Sequence, residues 1–218
     1  MPEPWQVIGS RITYQDRWLR VRSDRCQAVD GRVIEPYHVL EYPDWLDIVA
    51  LTPTHEIVLI REYRHGAGEV LTGLPAGMTE PGDSGPEQAA RRELREETGY
   101  TGGRFYALPP SYANPAKQGN MIHPFLAVGV RQTDLPRPDP SEEIEVIRED
   151  FLGLVGRLWH QGVVFQASHL AALHQAIHFI LGGSASGLDA LRDRLREEWR
   201  HRYDLVHPTG DGLTDPLS

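Results

Sequence analysis

Residues 77–100 read GMTEPGDSGPEQAARRELREETGY, a glycine-containing turn, a polar run and then a segment dense in charge. Ser84 and Glu87 have the spacing of a capping box, and Pro86 falls in a first turn where its missing N–H does no harm. Gly99 supplies a stop, so the spacing predicts a helix of about four turns. On that helix Glu93, Glu96 and Glu97 stand at i, i+3 and i+4, within an arc of roughly 100°. Like charges at i,i+4 cost about 0.2–0.5 kcal/mol per pair, so a cation lying over this face would relieve it. Charge patterning alone leaves a second reading open, an ordinary solvated face in which Arg91 and Arg92 alternate with the acids.

The order of the parts around the helix decides between these readings. Leu74-Pro75-Ala76-Gly77, then a polar loop, then Arg92-Glu93-Leu94-Arg95-Glu96-Glu97-Thr98-Gly99-Tyr100 resembles the Nudix box. That pattern runs Gly, five residues, Glu, seven residues, Arg-Glu-apolar-any-Glu-Glu-any-Gly-apolar. The second half matches at every fixed position. In the first half Asp83 stands where the family places its first Glu, and the loop carries one extra residue, most simply Gly85. The resemblance implies an α+β fold, the Nudix α/β/α sandwich with a mixed sheet, and cleavage of a nucleoside diphosphate linked to another moiety.

Carried over position by position, the resemblance makes Glu93 and Glu97 the main metal-binding carboxylates, with Glu96 beside them and the Ala76 carbonyl as a further ligand. Arg92 would orient a glutamate. Related hydrolases take a further ligand or the general base from a loop outside the box, and the matching segment is residues 141–146. Glu142 is the first choice there and Glu143 the second. Oxygen-only ligands suit Mg2+ or Mn2+ rather than zinc. Bound cations would neutralise phosphate charge and acidify the attacking water.

Three further pieces resemble the ADP-ribose and nucleotide-sugar pyrophosphatase branch. They are Arg61-Glu-Tyr-Arg-His-Gly66 followed by Leu74 to Gly77, an N-terminal β unit, and Pro115 sixteen positions beyond Gly99. Arg64, Pro115 and Gly77 thereby become candidate substrate-binding positions, and Arg64 could equally pair with an acid such as Glu62 or Glu69. Residues 114–120 depart from the usual Ser-Pro-Gly and downstream Glu. Dinucleoside polyphosphates or nucleoside triphosphates remain alternative substrates, and a non-catalytic nucleotide-sensing module a further alternative. In the branch the N-terminal unit contributes to a dimer and to the nucleobase pocket, so a homodimer is expected, with Trp5 and Trp18 among its apolar residues.

Composition agrees with a soluble cytoplasmic enzyme. The 218 residues suffice for one sizeable core, and the single cysteine, Cys26, precludes an internal disulfide framework. No run approaches a membrane span or a signal peptide. A net charge of -9 speaks against nucleic acid as a partner, which leaves a small-molecule nucleotide. Alternation predicts N-terminal strands over residues 11–14, 18–22, 24–29 and 33–42, with a turn at Asp30-Gly31. Core strands follow over 45–52 and 56–62, then strand-like stretches over 104–108, 121–130 and 145–148, with Pro124 suggesting an edge or bulge. Helices are expected over 149–159 and in two apolar stripes, Leu170 to Leu181 and Leu188 to Trp199. His174 and His178, at i,i+4, lack a third ligand and read as partly buried or surface residues. The domains expected are 1–46, 47–182 and 183–218, with a tail over 207–218.

Overall fold

In the computed structural model, residues 2–140, 142–159, 163–183 and 187–206 are described, without the side chains of 159 and 201–206. The expected tail lies outside them. The first element is a three-stranded antiparallel sheet, β1 (Gln6–Gln15), β2 (Arg20–Gln27) and β3 (Val33–Glu41). Three strands replace the four expected. Asp16 Oδ1 accepts the Trp18 and Leu19 N–H groups at 2.7 and 2.8 Å and closes the first turn, after which β2 runs unbroken through Ser23. The Asp30-Gly31 turn forms as expected, with Gly31 at φ 83.

The second sheet contains β4 (Trp45–Leu51), β5 (Glu56–Arg64), β6 (Glu69–Gly73), β7 (Ala76–Met78), β8 (Tyr100–Ala107), β9 (Ser111–Tyr112), β10 (Met121–Gln132) and β11 (Ile144–Asp150). Its main order is β11-β5-β4-β10-β8, with β4 and β10 parallel and the other pairings antiparallel. Helix α1 (Pro86–Thr98) covers one face; α2 (Phe151–Trp159), α3 (Ala167–Leu181) and α4 (Asp189–Val206) cover the other. Period-two alternation divides β4 accordingly. Leu46, Ile48 and Ala50 pack with Ala90 and Leu94 of α1, whereas Val49 and Leu51 pack with Leu173 and Ile177 of α3. Ile57 to Ile60 are fully buried, as a continuous apolar run in an interior strand requires.

Pro124 lies in the middle of the sheet rather than at an edge. Its carbonyl accepts the Leu108 N–H at 2.9 Å, so its donor-less nitrogen faces the gap between the end of β8 and the start of β9. Pro124 cannot return an N–H to Leu108, and the β8–β10 ladder ends at this pair.

One irregularity shapes the rest. Strands β4 and β5 pair only at Ala50↔Val58 and Leu51↔Ile57 and then diverge. Two short strands that the sequence did not announce fill the fork, β6 on β5 and β7 on β4. The bend between them is Leu74-Pro75, anchored by the Ile48 N–H donating to the Pro75 carbonyl at 2.9 Å. Helix α4 closes the opposite layer: Leu191 and Leu195 enter the core of α3, and Arg192 Nε donates to the Ile180 carbonyl at 2.8 Å at the open end of α3. Leu191→Ala is therefore expected to lower unfolding free energy by about 2–5 kcal/mol in denaturant titration, the range for truncating a fully buried leucine. A loss below about 1 kcal/mol would place α4 outside the core.

Candidate active site

Helix α1 begins one residue later than its capping-box pattern suggests. The residue before a proline is pushed out of the helical region, so Gly85, at φ 161 and ψ 174, is the N-cap and Pro86 is the first helical residue. Ser84 and Glu87 do not form the box: the Ser84 N–H donates to the Gln88 side chain, and Glu87 pairs with Arg91 at 2.9 Å. The C-terminal stop is as expected, Gly99 adopting φ 72 with its N–H on the Arg95 carbonyl.

From this helix Glu93 and Glu97 point into the fork. The Ala76 N–H donates to Glu97 Oε2 at 3.0 Å, and Glu97 is buried. Gly77 lies beneath Glu93, where an added Cβ would stand 2.2 Å from the carboxyl carbon. Only a glycine lets the glutamate lie flat on this backbone. Arg92 is the hub of the region. Its guanidinium donates to Glu93 Oε1 at 2.9 Å, Glu96 Oε2 at 3.1 Å, the Met78 carbonyl at 2.9 Å and Asp83 Oδ2 at 3.1 Å. Asp83, the shorter acid of the box, is thus occupied with Arg92 and with the Glu80 N–H, and these bonds hold its carboxyl below the usual range.

Two acids from the sheet complete the cluster. Glu62 on β5 belongs to no motif and was expected only as a partner of Arg64; the two are paired. Glu142 precedes β11 on the same parity as Val146, which packs toward α1; Glu143 shares the parity of Ile147, on the other face. Glu143 instead borders a shallow cleft with Arg61, Tyr63 and Val70. Asp139 holds Glu142 in a turn, its N–H donating to Glu142 Oε2 at 3.2 Å. Pro115 stands exposed in a loop fastened to β3, through Leu40 N–H to the Lys117 carbonyl at 2.7 Å and Tyr37 Oη–H to the Ala116 carbonyl at 2.7 Å. His174 and His178 are exposed.

The carboxylates hold their protons unusually tightly. Burial pushes Glu93 up to about 7, against the opposing Arg92, with Glu96 and Glu142 adding to the rise. Burial also drives Glu97 well above the usual carboxylate range; the Ala76 N–H opposes it, and Glu93, Glu62 and Glu142 reinforce it. Glu62 is raised in the same way, first by burial. These groups are short of positive charge. Their oxygen-only chemistry fits a hard divalent cation. Among the described residues no three His, Cys, Asp or Glu side chains stand close enough to hold an ion unaided, so the Ala76 carbonyl, water and substrate oxygens would complete the shell.

A profile of the NUDIX domain matches residues 45–157, and one of the nucleoside diphosphate sugar hydrolase N-terminal domain matches residues 5–40. The chain belongs to the Nudix family. It is 31% identical over 147 residues to an ADP-ribose pyrophosphatase of Bacillus subtilis, covering 59% of this chain and 79% of that relative. It is 27% identical over 138 residues to an ADP-ribose pyrophosphatase of Mycobacterium tuberculosis, covering 63% of this chain and 66% of the relative. A crystal structure described as an ADP compounds hydrolase superposes with a TM-score of 0.73 at 22% identity, covering 85% of this chain and 98% of the other, which shows the shared fold. The Nudix box is therefore the helix α1 together with the Ala76-Gly77 backbone it faces.

The raised carboxylates make the stability of the Nudix domain depend on pH. The folded protein keeps protons on Glu93 and Glu97 that the unfolded chain releases near pH 4.3. Their stabilising contribution is complete below that value and is lost as pH rises through about 7 at Glu93, and through the still-raised value of Glu97. In EDTA, Glu97→Gln should melt close to wild type at low pH and above it at pH 8, with the difference widening across the interval. Thermal melts that stay parallel from pH 4 to 8 would contradict the assignment of buried, mutually repelling acids.

Proposed function

We propose that this chain hydrolyses the pyrophosphate bond of ADP-ribose or a closely related nucleotide sugar, releasing a nucleoside monophosphate and a sugar phosphate. The observation that carries the reading is the convergence of Glu93, Glu97, Glu62 and Glu142 on the fork beside the Ala76-Gly77 backbone, with the proton affinities of the first three raised by burial. The relatives' own activity and the N-terminal sheet profile support the substrate class. The domain division at 46 and 182 belongs to this reading, with α4 as an extension that packs into the core of the preceding domain.

The residues divide the work. When bound, Mg2+ or Mn2+ would neutralise the pyrophosphate and acidify an attacking water. Glu93 and Glu97 would hold it, with the Ala76 carbonyl and Glu96 at the margin; Arg92 fixes Glu93 and Glu96 by direct bonds. Glu142, on a turn outside the box, receives the proton as water oxygen bonds to one phosphorus and the bridging P–O bond breaks. Arg64, paired with Glu62, would meet phosphate or ribose. Pro115 and its loop would border the sugar or base end. Gly77 acts through the space it leaves for Glu93.

Incubation with ADP-ribose and Mg2+ should give AMP and ribose 5-phosphate by mass spectrometry. Glu97→Gln should lower kcat by about a hundredfold or more, beyond the roughly 10- to 100-fold typical of partners one shell removed. Lack of turnover across nucleotide sugars, dinucleotides and nucleoside triphosphates would sink the proposal.

The homodimer also belongs to this reading. Every residue of β1 is exposed, and Trp5, Val7, Ile12, Tyr14 and Trp18 form an uncovered apolar set on the N-terminal sheet. Sedimentation should give twice the chain mass, and Val7→Glu with Ile12→Glu should shift it toward the monomer. A monomeric wild type at micromolar concentration would refute this part.

A further inference from the structure

Strand β4 carries one charged side chain, Asp47, on the face that otherwise packs against α3. It is fully buried, and its Oδ2 has no hydrogen-bond partner among the described residues. Opposite it stands His169 of α3, 2% exposed, with Nε2 3.3 Å from Asp47 Oδ1. The other ring nitrogen, Nδ1, accepts the Leu74 N–H at 3.2 Å. A nitrogen that accepts from a backbone amide carries no hydrogen, so in the neutral ring the hydrogen sits on Nε2, which lies near the aspartate without making a hydrogen bond among the described residues. Gly73 permits the contact: a Cβ there would lie 2.8 Å from the His169 ring. Trp45 Nε1–H donates to the same Asp47 oxygen at 3.0 Å and fixes it from within β4.

These bonds hold the bend of the fork. Pro75 has no N–H, so the bend has two backbone donors, Leu74 and Ala76. The first is taken by His169 and the second by Glu97. Ala76 itself is in register with Asp47 across β4 and β7. A buried ionic or polar pair is a weak source of stability compared with apolar packing of the same volume, and this one leaves a carboxylate oxygen without a partner among the described residues. What it provides is a defined position for the backbone it touches.

We propose that His169 is a positioning residue for the Nudix site, its Nδ1 fixing the Leu74 to Gly77 backbone and through it the Glu97 carboxylate and the Ala76 carbonyl. This rests on the pyrophosphatase reading only for its effect on turnover. The connection runs from His169 through Leu74 and Ala76 to Glu97, and spans both helical layers of the sandwich.

Two substitutions separate the two ring nitrogens. His169→Asn keeps an acceptor near Nδ1 and loses the reach to Asp47; His169→Gln keeps a donor near Nε2 and loses the acceptor for Leu74. For His169→Gln, amide exchange at Leu74 should quicken by at least about tenfold and Mn2+ binding, by titration, should weaken by about 10- to 100-fold. kcat should fall by a similar factor with KM changed less than about threefold. His169→Asn should retain Leu74 protection and most of the Mn2+ affinity. Wild-type exchange and Mn2+ affinity in folded His169→Gln would overturn the proposal, as would equal loss in both folded variants. Should His169→Gln not fold, His169→Asn decides the matter alone: a folded His169→Asn with an unprotected Leu74 amide overturns the proposal, and a protected one supports it. Failure of the wild type to cleave any nucleotide would refute the functional reading, and leave exchange and Mn2+ titration to judge the positioning role.

Discussion

Buried carboxylates that cannot all be ionised together are the constraint around which this molecule is arranged. Glu93 and Glu97 lie four residues apart on one helix face, and Glu62 and Glu142 approach from the sheet. In water such a group would be unremarkable, because each exposed like-charge pair costs only tenths of a kcal/mol. Burial changes the scale, since the charged form of each acid loses hydration as well as gaining neighbours of its own sign. Arg92 offsets part of this by meeting Glu93, Glu96 and Asp83 at once. It does not reach Glu97, whose carboxylate among the described residues accepts a backbone N–H from Ala76. The remaining deficit of positive charge makes the fork a place for a cation and an anionic phosphate together, in a chain whose net charge of -9 would otherwise repel the latter.

A second dependence is mechanical. The carboxylates lie against the Ala76-Gly77 backbone because β4 and β5 part after two residue pairs, where a regular sheet would have continued its ladder. The divergence is stabilised from three directions: β6 and β7 satisfy the freed strand edges, α1 lies above, and α3 supplies His169 from below. Helix α4 contributes at a distance, since its leucines and Arg192 secure α3. Residues far from the cluster in sequence therefore bear on where Glu97 sits.

The legible part of this arrangement was the part coded locally. The box helix, its glycine stop and the core strands follow from spacing and periodicity over a few residues. The cap was misread because Gly85 is an insertion, and the effect of Pro86 on its neighbour outweighs the Ser84 signal. Pro124 was misread because its nitrogen faces a gap between two strands, a matter of pairing that no single strand records. Glu62 and His169 were out of reach for the same reason, one bracketed by arginines at 61 and 64 and the other near the start of a helix whose exposed histidines drew attention first. Asp47 did leave a trace. A lone acid in an apolar strand requires a partner, and in the structure it shares the parity of Val49 and Leu51, which pack with α3.

The same reasoning bears on how the nucleotide is distinguished. Chemistry at the fork recognises a pyrophosphate and a cation, which all phosphoanhydrides share, so selection among them must come from groups around it. The loop bearing Pro115 is fastened by Leu40 and Tyr37 to β3, and Tyr37 is in turn packed edge-on by Trp5 at 5.9 Å. The N-terminal sheet thus sets the position of a loop that borders the hydrolytic domain. Because the sheet and the loop are joined through β3, displacement of one bears on the position of the other.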